Sequence, residues 1–239
     1  RALPEGEDIK DSLTEREDGL YYRGQELLSL APYKAEIDEY VRLHPGKSEE
    51  TGMTYDAKLM TLDDNLSLLQ VSVYYMLHIP APYTPHEVHL FVVHQDEIRK
   101  IEGFSQFPRQ LVRNPDGSYW LAKASILPED LTARNYDEAQ GMLALIRPDG
   151  SSVLINTQLG TLDVDLLHVN DKGTATVKAF NDRIYEELST EKDGIYTVDT
   201  GLNANKLTDT YKGPMYADQS GQIYTLNHEN NTIIRVTAK

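Results

Sequence analysis

Four of the seven histidines, His78, His86, His89 and His94, fall within residues 78–94. Imidazole is the side chain best suited to proton transfer or metal ligation near neutral pH, so this is where chemistry would first be sought. His86-Glu87-Val88-His89 has the look of a metal motif. The zinc-protease arrangement, however, needs two histidines four apart on one helical face. Here Val88, Leu90 and Val92 alternate as a strand, which sets His86 and His89 on opposite faces where they cannot share an ion. The spacing predicts no metal site. It leaves His86 and His89 as acid–base candidates for an enzyme with a β-cleft active site.

Asp163 and Asp165 are the matching carboxylates, two apart on one strand face with no charge between them. Buried, such a pair could hold a cation or pass a proton. The alternation of Leu162, Val164 and Leu166 instead predicts that the core takes those residues and that the aspartates lie on a solvated outer face. Other chemistries lack their signatures. There is no Gly-x-Ser-x-Gly elbow, phosphate-cradling glycine loop, dinucleotide fingerprint or calcium loop, and the chain has no cysteine. No cofactor is expected. A Ser–His–Asp set drawn from distant strands is recognised by geometry and not by order, so a hydrolase or lyase stays the runner-up.

Binding has the better candidates. Fifteen of the twenty aromatic residues are tyrosines, and Tyr74-Tyr75, Tyr83 and Tyr119-Trp120 gather near a proline-rich loop and a turn. In two consecutive strand residues one ring faces the core and the other faces out. One of Tyr74 and Tyr75, and one of Tyr119 and Trp120, is therefore predicted on an outer or cavity-lining surface. There it could anchor a partner, or stack on a carbohydrate or other small ligand.

The elements that must position these residues are mostly strands. Asp-Gly or Ser-Gly turns hand over to aromatic or β-branched runs at Asp18-Gly19, Asp116-Gly117, Asp149-Gly150, Asp193-Gly194 and Ser220-Gly221, each a hairpin signal. Leu66–Leu77 and Val88–Val93 read as central strands, joined by a stiff loop with Pro80, Pro82 and Pro85. One helix is predicted after Pro32, ending at His44-Pro45-Gly46, and a second helical turn at Glu129–Gln140. Residues 46–57 read as a polar loop. The organisation that follows is a polar leader over 1–19, a strand–helix segment over 20–58, and an antiparallel β domain over 59–239.

Two resemblances accompany this pattern. Asp218–Asn227 followed by Asn231–Val236 resembles the inner hairpin of a β-propeller blade, and Asp193–Asp199 and Met142–Ile155 resemble hairpins of other blades. The implied fold is an antiparallel β-propeller-like body, with a β-sandwich as the alternative. Glu17-Asp18-Gly19-Leu20-Tyr21-Tyr22-Arg23-Gly24-Gln25 resembles one unit of the MORN-type repeat of antitoxin-like and membrane-associated bacterial proteins. It occurs once, and so implies a hairpin.

With 38 acidic against 23 basic residues the net charge is −15, and no basic run could track a phosphate backbone. Nucleic acid is not an expected partner; a basic protein is. No apolar stretch has the ~20 residues of a membrane helix. The chain starts at Arg1, consistent with a removed signal or anchor, and the expected location is periplasmic or secreted, with lipid anchoring before trimming; the cytoplasm is the alternative. Taken together, these features predict a non-enzymatic protein-binding module, of the kind that an extracytoplasmic bacterial inhibitor or immunity protein would be. Oligomeric state is not encoded in any of them.

Overall fold

A computed structural model describes residues 5–46, 52–76, 87–102, 109–122, 143–155, 159, 163–180, 191–209, 214–227 and 230–236. The chain is mainly β, with several antiparallel sheets, none of them closed among the described residues. It divides into two compact units, Pro4–Gln106 and Phe107–Lys239, the latter taking in Arg1–Leu3.

The first unit contains β1 (Glu7–Asp8), β2 (Leu13–Glu15), β3 (Gly19–Tyr22), β4 (Gln25–Ser29), α1 (Ala31–Leu43), β5 (Gly52–Thr61), β6 (Leu66–Met76), β7 (Glu87–His94) and β8 (Glu97–Lys100). Its main sheet runs β1-β5-β6-β7-β8, so the two most apolar runs, β6 and β7, are interior strands as their composition predicts. β2, β3 and β4 form a small second sheet. One face of the main sheet, carrying Ala57, Leu69, Val71, Val73, Phe91 and Val93, packs with Leu20, Tyr22, Leu28 and Leu30 and with Tyr33 of α1. The MORN-like hairpin is present as β3–β4, turning through Arg23 and Gly24, both at positive φ.

Two expectations are corrected in this unit. The polar leader, expected to be loose because it has little to bury, is held in place over its described residues, because β1 pairs with β5, β2 pairs with β3, and Ile9 is buried. The loop expected over 46–57 gives way to β5 from Gly52 onward, its Met53, Tyr55, Ala57 and Leu59 on the core side and Thr54, Asp56 and Lys58 between them. Charge density obscured a period-2 pattern there.

The second unit contains β9 (Gln110–Arg113), β10 (Tyr119–Ala122), β11 (Leu143–Ile146), β12 (Ser152–Leu154), β13 (Asp163–Val169), β14 (Ala175–Phe180), β15 (Gly194–Val198), β16 (Ala204–Thr208), β17 (Met215–Ala217), β18 (Ile223–Asn227) and β19 (Thr232–Arg235). They form three successive meanders: β9-β10-β11-β12, β13-β14-β15-β16 and β17-β18-β19. The first two meanders meet across Trp120, Leu143, Leu145, Val164, Leu166, Val177, Tyr196 and Val198. The second and third meet across Leu167, Ile195, Leu207, Met215, Ile223 and Val236. The middle sheet is thus covered on both faces. The helical turn expected at Glu129–Gln140 lies outside the described residues.

Five hairpins of this unit share one turn. Across 114–118, 147–151, 170–174, 199–203 and 218–222, the first residue donates its N–H to the carbonyl of the fifth and accepts from the N–H of the fourth. The fourth residue is left-handed each time: Gly117, Gly150, Gly173, Leu202 and Gly221. This is the three-residue hairpin loop, a type I turn closed by a left-handed residue. An Asp or Asn oxygen completes each turn. Asp116 and Asp149 accept the amide and hydroxyl of Ser118 and Ser151, while Asn170, Asp199 and Asp218 accept the amide four residues on.

Trp120 joins the first two meanders. It is fully buried, and its Nε1–H donates to the carbonyl of Gly173, the left-handed residue of the β13–β14 turn, at 2.8 Å. A Cβ on Gly173 would both strain a φ of +78° and lie 3.1 Å from Thr200 Cγ2.

Trp120→Ala should destabilise the chain by about 3–5 kcal/mol, and Trp120→Phe by about 1–3 kcal/mol because it leaves the Gly173 carbonyl without its donor. Urea unfolding followed by far-UV circular dichroism reads both. Acid should weaken the turns. The Ser118 hydroxyl foremost holds Asp116 below the usual carboxylate range, the Asn203 amide does the same for Asp199, and the Ser220 hydroxyl for Asp218. The unfolded chain therefore takes up protons first as pH falls, so this contribution is complete above the ordinary carboxylate pKa of about 4 and is lost on descending through the lowered folded values. Asp116→Asn should flatten that acid limb in a stability–pH profile.

Candidate functional site

Glu87 and His89 are two apart in β7 and share the face that carries Phe91 and Val93 toward the core. α1 lies on that face. Pro32 in its first turn suits a helix start, and Tyr33 is the only residue of the helix that is buried, at 6% exposure. The Tyr33 hydroxyl is 2.5 Å from Glu87 Oε2 and 2.8 Å from His89 Nε2. His89 Nε2 and Glu87 Oε2 are 3.1 Å apart, and the Tyr33 and His89 rings meet edge to face at 6.5 Å.

Three polar atoms this close need two protons among them. Tyr33 supplies one, donated to the carboxylate at the shorter distance. The second belongs on His89 Nε2, since a bare Nε2 lone pair would face the carboxylate at 3.1 Å. The network thus assigns the Nε2–H form, as neutral tautomer or imidazolium. Chemically, the cluster can hold a proton among phenol, imidazole and carboxylate. Mechanically, it fastens α1 to β7. His89 keeps an acid–base partner, but that partner is Glu87, and the third member, Tyr33, was invisible to a search for histidine spacing. The legible signal was the pair Glu87/His89 at strand period 2.

The other sequence candidates are scattered. Asp165 faces Lys178 across the β13–β14 ladder on the side that the third meander covers. Its carboxyl is pushed up by burial, against the opposing pull of the Lys178 ammonium. The solvated outer face expected for it is corrected, because the sheet is covered on both sides. Tyr74 is half-buried, and its hydroxyl is raised first by burial and then by the charge of Asp56. Tyr119 is 3% exposed and Trp120 is 0% exposed, where one of them was expected on an outer or cavity-lining surface; the outer placement is corrected. Alternation does place them on opposite faces, but both faces of β10 are buried. His86 and Tyr83, and the side chains of Tyr75 and Asp163, lie outside what is described. Among the described residues no group of three His, Cys, Asp or Glu could hold a metal, and no helix is long and apolar enough to cross a membrane.

Among the described residues, the two most exposed large apolar side chains, Tyr216 and Ile233, are elsewhere, on the third meander. Tyr216, Tyr224 and Arg235 are opposite one another across its strands, as are Leu226 and Ile233. Alternation puts these five on the face away from Met215, Ile223 and Val236. Tyr216 is 64% and Ile233 74% exposed. The Tyr224 hydroxyl donates to Asp218 Oδ2 at 3.2 Å, holding its ring to the turn. The sequence reading passed over this face because Tyr216 stands alone in its strand and Ile233 reads as core. No protein-family model, curated protein or solved structure matches the chain.

Tyr33→Phe should cost about 1–3 kcal/mol, since it strips a donor from Glu87 and a partner from His89, whereas Leu43→Ser at the exposed end of the same helix should stay within about 0.5 kcal/mol of the parent. Urea unfolding gives both values, and amide exchange across 31–43 should accelerate in Tyr33→Phe alone.

Proposed function

We propose that this chain is a non-enzymatic protein-binding module that docks a partner on the outward face of its third meander. The observation that carries the reading is the pair of large apolar side chains, Tyr216 and Ile233, 64% and 74% exposed on one sheet face. Tyr224, Leu226 and Arg235 extend that surface. Tyrosine and arginine are enriched where interfaces carry their energy, and a rigid sheet presents them at little entropic cost.

Two finer readings go with it. The three consecutive meanders, each stacked face to face on the next, support a propeller-like arrangement of blades, with a β-sandwich as the alternative. The net charge of −15 favours a partner with a basic surface, drawn in by long-range attraction. An extracytoplasmic bacterial inhibitor or immunity protein that occludes such a partner fits that charge and surface. An acid–base reading has the Tyr33–Glu87–His89 cluster in its favour. Against it, the phenol is buried and its hydroxyl is engaged by both neighbours.

The double variant Tyr216→Ser with Ile233→Ser should abolish capture of protein from native extract at low salt, while the far-UV spectrum stays that of the parent. Capture indifferent to this variant would sink the reading.

A further inference from the structure

The first two meanders of the second unit each close with a fourth strand, β12 beside β11 and β16 beside β15. The third stops at β19, and among the described residues no strand pairs with its far side. Val236 donates its N–H to Ile223, on β18. Hydrogen-bonded pairs alternate along an antiparallel ladder, so Ile234 and Thr232 also bond to β18, opposite Thr225 and Asn227. The N–H and C=O groups of Ile233 and Arg235, between them, point away from the sheet. Both residues are exposed.

We infer that the β19 edge takes up an extended segment of the partner protein as a fourth strand, with apolar side chains on its inner face and a carboxylate beside Arg235. This rests on the reading that the chain binds protein through this sheet, and adds the mode and the chemistry of the partner. β16 shows what fills the equivalent place in the second meander, setting Ala204 against one core and Leu207 against the other. An added strand would lay its inner side chains beside Ile234 and Val236, continuing the floor formed by Met215 and Ile223. On the outer face its neighbours would be Ile233 and Arg235. Arg235 makes no ion pair among the described residues, so a carboxylate opposite it neutralises a charge left open in an acidic molecule. Ladder hydrogen bonds supply affinity in such additions and alternate side chains supply specificity.

The test uses the full chain and an acetylated peptide of about eight residues that alternates valine with threonine and glutamate. Titration should show saturable binding that slows exchange of the Ile233 and Arg235 amides. Binding should weaken about tenfold or more with Ile233→Pro, which removes an outward N–H without touching the β18 ladder, and much less with Ile233→Thr, which keeps it. N-methylating one alternate set of peptide amides should abolish binding, while the other set tolerates it; this arm stands even if the proline variant does not fold. Replacing glutamate by glutamine should weaken binding and reduce its salt dependence. Peptide binding indifferent to N-methylation and to Ile233→Pro would overturn strand addition, as would self-association of the chain through β19 that the peptide does not compete. If Tyr216→Ser with Ile233→Ser abolishes protein capture but Ile233→Pro does not, side-chain docking survives and strand addition falls; if neither affects capture, both fall.

Discussion

The indole of Trp120 reaches from one meander to the turn of the next, and the second unit depends on that contact. Its ring fills the space between two sheets, while its Nε1–H satisfies the Gly173 carbonyl, which would otherwise be buried without a partner. A large apolar surface and a single directed hydrogen bond act together: the first draws the sheets into contact, the second sets how far β10 stands from the β13–β14 turn. Gly173 must be left-handed for its carbonyl to be presented there, and its lack of a Cβ leaves room for Thr200. A tryptophan at the end of a hairpin signal is thus a core residue despite the polar turn beside it.

The five shared turns explain how so acidic a chain folds into tight meanders. Each asks for a left-handed fourth residue and an Asx oxygen to collect amide protons, and four of the five supply glycine. Leu202 takes the fifth position at φ +71°, an unfavourable conformation for a side-chain-bearing residue. It also packs against the core of the first two meanders, which offsets the strain. Some of the acidic residues that lower the charge to −15 are therefore structural acceptors, Asp116, Asp149, Asp199 and Asp218 among them.

In the first unit, the corresponding fastening is polar. α1 has one buried side chain, and the phenol of that side chain enters a three-atom network with Glu87 and His89. A helix attached in this way contributes little apolar burial, so its position relative to β7 is set by hydrogen bonds that are directional and short. The same network gives His89 its chemically distinctive surroundings.

The sequence by itself determined the β class, the central position of β6 and β7, the β3–β4 hairpin and the helix after Pro32, because these rest on local propensity, period and turn chemistry. Strand period likewise set the expectation that His86 and His89 lie on opposite faces of one strand. Only the tertiary structure decided which faces are covered. Alternation separates Tyr119 from Trp120 and Val164 from Asp165, but it cannot say whether a sheet has water or another sheet on its second side. Both faces of β10 proved buried, and Asp165 lies on the face of β13 that the third meander covers. Tyr33 joined Glu87 and His89 across 54 and 56 residues of chain, a separation over which no local pattern carries information. The exposed face of Tyr216 and Ile233 emerged for the complementary reason: a hydrophobic strand residue is core only if another layer lies over it, and among the described residues none lies over theirs.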